Sequence, residues 1–285
     1  MTRAASRQSG DSSVAATELV EMLDLETVEP NRFRAQPLAG ARAVVFGGQL
    51  LAQSLAAAAR SNDGMRVKSM HTVFLRGGRP DEVLEIDVDP VHVGRTFGAS
   101  NVTIRQGERI CTKSIVLHHV PDDEIISHQV EPPDIGSPEE AAPITSNEAR
   151  GWEVRIAQEA EIFDPDAIGP AELYVWSRFR DVPSEPWASQ ALLGYASDGF
   201  LIATAMRPHA GVGQDLAHVS IDTTVITQTL TFHDDFDAGE WLLLAHRSPV
   251  ARHGRTFGRA DVYASDGCLV ASYSQENLVR AMPQR

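Results

Sequence analysis

The chain has 285 residues, enough for one large domain or two of ordinary size. Its 25 Lys and Arg stand against 39 Asp and Glu, a formal net charge of -14 that opposes a phosphate backbone and sets nucleic-acid binding aside. Hydrophobic residues reach 42% but aromatics only 6%, so a core is expected and aliphatic side chains must pack it.

Residues 1–16 are polar and lack the apolar stretch of a secretory signal, so they are read as a frayed tail. No apolar run elsewhere approaches the roughly 18 residues of a membrane helix. A soluble, cytoplasmic protein is the expectation. Cys111 and Cys268 form no C-x-x-C pair and are read as reduced.

In chain order, the first substantial element is a helix beginning at the double glycine Gly47-Gly48 and running through a Leu-, Gln- and Ala-rich stretch toward Ser61. It is apolar nearly all round, so it has to be buried. Strand-like runs follow, ending in a hairpin folded at Gly107, and together these make a first unit over residues 17–120. Residues 121–150, rich in Pro, Asp and Glu at their start, read as a linker. A second unit, 151–285, repeats the plan: a helix over Gln190–Pro208, more strands, and a hairpin folded at Gly267.

The repetition extends to residue identities. Gly-Arg-Thr-Phe-Gly occurs at 94–98 and again at 254–258, an offset of 160 that also aligns Val102 with Val262 and Ile115 with Gln275. Upstream, Phe74 and Phe232, and Glu82 and Glu240, align at an offset of 158. A sheet with one buried face gains by wrapping around an apolar helix and pairing with a second such sheet, and two copies in one chain can do this internally.

Particular segments carry a resemblance. Val44–Gln49, Met70–Gly78, Leu193–Asp198, Phe232-His233 with Glu240–Leu243, and Leu269–Glu276 resemble acyl-CoA thioesterase II, in the order found in that family and over roughly residues 17–282. The resemblance implies an α+β double hot-dog fold and hydrolysis of fatty acyl-CoA to free acid and CoA without metal or organic cofactor. It also implies an Asp, a hydroxyl residue and a Gln, all in the second repeat, that orient a water. By position the Asp is Asp198 and the Gln is Gln275. The hydroxyl position holds Val225, and the nearest replacement is Thr227, two residues along the same strand face. A homo-oligomer is expected by analogy with other hot-dog proteins.

Each candidate has a plainer reading. Asp198 could cap a helix starting at Gly199. Gln275 could face solvent from a strand. Thr227 could be there for β propensity. Arg95 and Arg255, in the paired motifs, suit CoA phosphates or simply the surface beside a turn. His71 is a candidate substrate contact, with a structural histidine as the other reading. His118-His119 cannot chelate together, because neighbouring strand residues point to opposite faces, and no metal site is expected. No G-x-S-x-G elbow, Rossmann or P-loop pattern occurs. Two rivals remain. A hydratase or dehydratase would need a histidine beside Asp198, yet the next is His209. A non-catalytic acyl-CoA binding module is favoured by Val225.

Overall fold

The computed structural model describes residues 18–39, 43–62, 64–144 and 150–282; the polar N-terminal stretch lies outside them. Among the described residues, no helix is long and apolar enough to cross a membrane.

The first repeat contributes β1 (Glu26–Glu29), β2 (Arg32–Ala35), helix α1 (Gly47–Arg60), β3 (Arg66–Phe74), β4 (Leu84–Val93), β5 (Phe97–Gln106) and β6 (Arg109–His119). After the short β7 (Ala142–Pro143), the second contributes β8 (Trp152–Ile156), β9 (Glu172–Phe179), helices α2 (Pro186–Ser197) and α3 (Leu201–Met206), β10 (Ile221–Phe232), β11 (Leu242–Arg252), β12 (Arg255–Tyr263) and β13 (Leu269–Ala281). All strands join one antiparallel sheet in the order β1-β2-β4-β5-β6-β3-β10-β13-β12-β11-β9-β8-β7. The halves meet where β3 pairs with β10, from Ser69 opposite Thr231 to Val73 opposite Thr227. That pairing covers the edge each half-sheet would otherwise expose.

Both central helices lie inside the curve of this sheet, against each other. α1 is buried at every position from Gly48 to Ala58, as its all-round apolar sequence requires. Close packing of α1 on α2 depends on missing side chains. A Cβ on Gly194 would sit 2.7 Å from Leu55, and one on Gly48 would sit 2.3 Å from the Tyr195 carbonyl oxygen. One hydrophobic cluster runs through both repeats, from Leu19 to Tyr273. The α+β double hot-dog architecture expected from sequence is thus the observed one.

Two details depart from the sequence reading. The second helix is not continuous: α2 stops at Ser197, and α3 starts only at Leu201. The Gly-Arg-Thr-Phe-Gly copies, moreover, are not structurally equivalent. The bulge at Val67–Ser69 in β3 recurs at Val225–Thr227 in β10, an offset of 158. Opposite these bulges stand His118 and Asn277, and next to them Gly98 and Thr256. Gly98 therefore corresponds to Thr256, so the motifs are two residues out of register. The second hairpin closes through a two-residue turn, His253 and Gly254, both at positive φ, whereas four residues separate paired Val93 and Gly98 in the first. On β6 and β13 the offset is 159, so the counterpart of Gln275 is Val116, not Ile115. A one-residue slip exchanges the two faces of a strand: Ile115 is exposed, while Val116 and Gln275 are buried.

Candidate active site

Asp198 is the C-terminal cap residue of α2, with helical backbone angles (φ -81°, ψ -1°). It does not cap a helix starting at Gly199, because α3 begins later and its N-cap is Phe200. The carboxylate instead crosses to the other repeat. Its Oδ2 accepts a hydrogen bond from the Gly48 N–H, 2.9 Å away, in the first turn of α1. That turn has no acidic residue and no side-chain cap of its own. The Gly48 N–H, with the positive end of the helix dipole, is complementary to an anion. Gly47 makes the approach possible: a Cβ there would stand 2.8 Å from Oδ2. The double glycine that marks the helix start in sequence is thus what admits the carboxylate.

Gln275, on β13, donates from Nε2 to Asp198 Oδ1 at 3.2 Å and to Gln228 Oε1 at 2.6 Å. Gln228 is its cross-strand partner on β10. Gln228 Nε2 donates to Ser197 Oγ at 2.7 Å, and Ser197 donates to the Gly194 carbonyl at 2.8 Å. Ser197, Gln228 and Gln275 are all at most 1% exposed. The Gln275 side-chain carbonyl oxygen, also buried, has no hydrogen-bond partner among the described residues. Such an acceptor is costly to leave unmet and is poised for a donor from outside the chain.

The expected site residues separate. Asp198 and Gln275 come together. Thr227 does not join them: its hydroxyl donates to Glu276 Oε2 at 3.0 Å, and both residues lie on the sheet face opposite Gln228 and Gln275. The bulge is the physical reason. It inserts one residue between Val225 and Thr227, so Val225 opposes buried Asn277 while Thr227 turns outward. Counting by two from Val225 therefore fails, and the polar side chain of β10 that reaches Gln275 is Gln228. A signal for it was available. Gln228 shares the parity of Leu230 and Phe232, both buried, so it is a polar residue on the apolar side of β10. Ser197 had no such signal, because it lies among the small and apolar residues of α2 and only the packing of that helix on β10 brings it to Gln228.

His71 is exposed on the outer face, its Nδ1 2.8 Å from the Thr229 hydroxyl across the seam between repeats. Arg95 lies exposed between β4 and β5. Arg255 lies exposed on β12, one Nη donating to the Gly254 carbonyl at 3.1 Å. The structure gives none of the three a hydrogen bond to Asp198 or Gln275. Arg255 does line a cleft of about 230 Å³ with Arg252, His253 and His209. Of the buried histidines, His118 faces Ser100 at 3.0 Å, and His246 lies between the Leu173 carbonyl at 3.0 Å and the Tyr273 hydroxyl at 2.6 Å. Burial pushes both down to about 4, so both are neutral near pH 7.

Comparison with known proteins agrees with the two-repeat fold. Residues 35–119 match the family model described as acyl-CoA thioesterase N-terminal domain, and residues 128–279 match that for the acyl-CoA thioesterase C-terminal domain. The chain is 30% identical over 281 residues to acyl-CoA thioesterase 2 of Haemophilus influenzae, covering 92% of this chain and 96% of that one. It is 26% identical to human acyl-coenzyme A thioesterase 8, covering 92% and 89%. Among solved structures it resembles an acyl-CoA thioesterase II from Mycobacterium marinum, with a TM-score of 0.78, 28% identity, and coverage of 94% and 98%. A hot-dog protein from Alicyclobacillus acidocaldarius shares the fold at a TM-score of 0.76 and 19% identity, covering 94% and 98%. Matched along nearly its whole length, with both domain types in order, the chain belongs to the acyl-CoA thioesterase II family.

Proposed function

We propose that this chain hydrolyses acyl-CoA thioesters to a carboxylic acid and CoA, using a water that Asp198 and Gln275 hold and activate. The observation that carries the reading is the position of the Asp198 carboxylate between the first turn of α1 and the Gln275 amide. A carboxylate there can accept a proton, and the helix start beside it can receive negative charge.

The water oxygen attacks the thioester carbonyl carbon as one of its protons passes to Asp198. The carbonyl electron pair moves to oxygen, and the Gly47 N–H at the start of α1, aided by the helix dipole, stabilises that oxyanion. The oxyanion then collapses, the C–S bond breaks, and the thiolate leaves with the proton held by Asp198. An alkyl thiol has a pKa of about 8.5, so its thiolate departs readily and no separate strong acid is required. General-base action contributes about 10²–10⁴ in rate, and oxyanion donors about 10²–10³.

The test is thiol release from acyl-CoAs of short to long chain, for the wild-type protein and for Asp198→Asn. Loss of release in a variant that melts like the wild type supports the reading, and a full rate in that variant refutes it. Val225 favours a second reading, a protein that binds acyl-CoA without cleaving it. Saturable binding with no thiol release from any chain length by the wild-type protein selects that reading.

A further inference from the structure

The buried amides beside Asp198 have a fixed direction. At one end of the chain of hydrogen bonds is the Gly194 carbonyl, which only accepts; at the other is the Asp198 carboxylate, also only an acceptor when ionised. Ser197 spends its single proton on Gly194, so its oxygen receives the Gln228 NH₂. Gln228 then presents its carbonyl to Gln275, which must answer with its own NH₂. The two protons of that NH₂ go to Gln228 and to Asp198. The Gln275 carbonyl oxygen is left over, buried and without a partner among the described residues.

We propose that Ser197 and Gln228 are positioning residues that set the polarity of the Gln275 amide, so that its carbonyl oxygen accepts a proton of the attacking water. This rests on the hydrolase reading above. A water that donates one proton to Asp198 and the other to Gln275 has its lone pairs turned away from both acceptors, toward an electrophile. A flipped Gln275 would set its carbonyl against the Asp198 carboxylate and offer the water no acceptor. The pair also answers a question raised by the sequence: with Val225 at the hydroxyl position, the orienting group on β10 moves three residues along, across the bulge, to Gln228.

Gln228→Met keeps the side-chain length and removes the acceptor for the second Gln275 proton. Ser197→Ala is a smaller lesion on the same line. Thiol release with an acyl-CoA that the wild-type protein turns over is expected to show kcat about tenfold lower in each, with KM little changed, as for a lost transition-state interaction. Because both act through one amide, the double variant is expected to match Gln228→Met and not to fall about a hundredfold. Wild-type kcat in both single variants overturns the proposal, and so does a double variant whose losses multiply. A loss that appears in melting temperature with kcat per folded molecule unchanged also overturns it. Asp198→Asn, measured alongside, separates the two levels: if it alone retains full rate, the hydrolase reading fails; if it is inactive while the positioning variants are normal, only the positioning role fails.

Discussion

The two repeats share a fold and differ inside it. In the first, the inward pair beside the β3 bulge is Met70 and Val116, both fully buried and apolar. In the second, the same places on β10 and β13 hold Gln228 and Gln275. The first repeat has one unbroken helix, Gly47–Arg60, whereas the second is interrupted at residues 198–200, and the interruption releases Asp198 toward its neighbour. The difference teaches that a duplicated scaffold can hold its shape through one set of apolar contacts while a single pocket turns polar. The polar pocket also needs both copies, since the carboxylate comes from one repeat and the helix terminus that receives it from the other.

The comparison breaks most directly at Asp198. Replacement by Asn should lower thiol release by about 10²–10⁴ with little change in melting temperature, because Asn can still accept from Gly48. Activity that survives this change would mean the polar pocket is not where the repeats differ in function.

Acid stability tests the buried histidine of the second repeat. His246 is neutral in the folded protein down to about 4, while the unfolded chain protonates near the ordinary 6.5. The unfolded state therefore binds more protons between those values, and the stabilisation is full above about pH 6.5 and lost as pH falls toward 4. His246 alone accounts for on the order of 3 kcal/mol, more than a hundredfold in the folding equilibrium. Chemical denaturation between pH 4 and 7 should show this slope added to that of His118, and His246→Phe should reduce it by about half; an unchanged slope would place the titration elsewhere.

Making the second repeat more like the first sharpens the contrast between them. Gln275→Met should lower kcat by about a hundredfold and also lower the melting temperature, since it strands the buried Gln228 carbonyl oxygen that the Gln275 amide satisfies. Gly47→Ala is expected to cost about tenfold in kcat by pushing the Asp198 carboxylate away, as the new Cβ stands 2.8 Å from Oδ2. Thr227→Val is the mildest case, within about twofold of wild type in kcat, because its hydroxyl faces Glu276 outside the pocket. A loss comparable to that of Asp198→Asn would return Thr227 to the site.

Sequence alone determined the duplication, the two buried helices and the hairpins folded at Gly107 and Gly267, both glycines adopting positive φ. These follow from local rules: apolar residues all round a helix demand burial, and turns demand glycine. The resemblance supplied Asp198 and Gln275, which the fold then brought within 3.2 Å. Tertiary structure decided the rest. One bulged residue on β10 reversed the facing of Thr227, and two residues of hairpin length shifted the repeated pentapeptide out of register. The physical reason is common to both. Which face a strand residue takes depends on the count of residues between paired positions, and that count is fixed by hydrogen bonds to distant strands, not by the residues themselves.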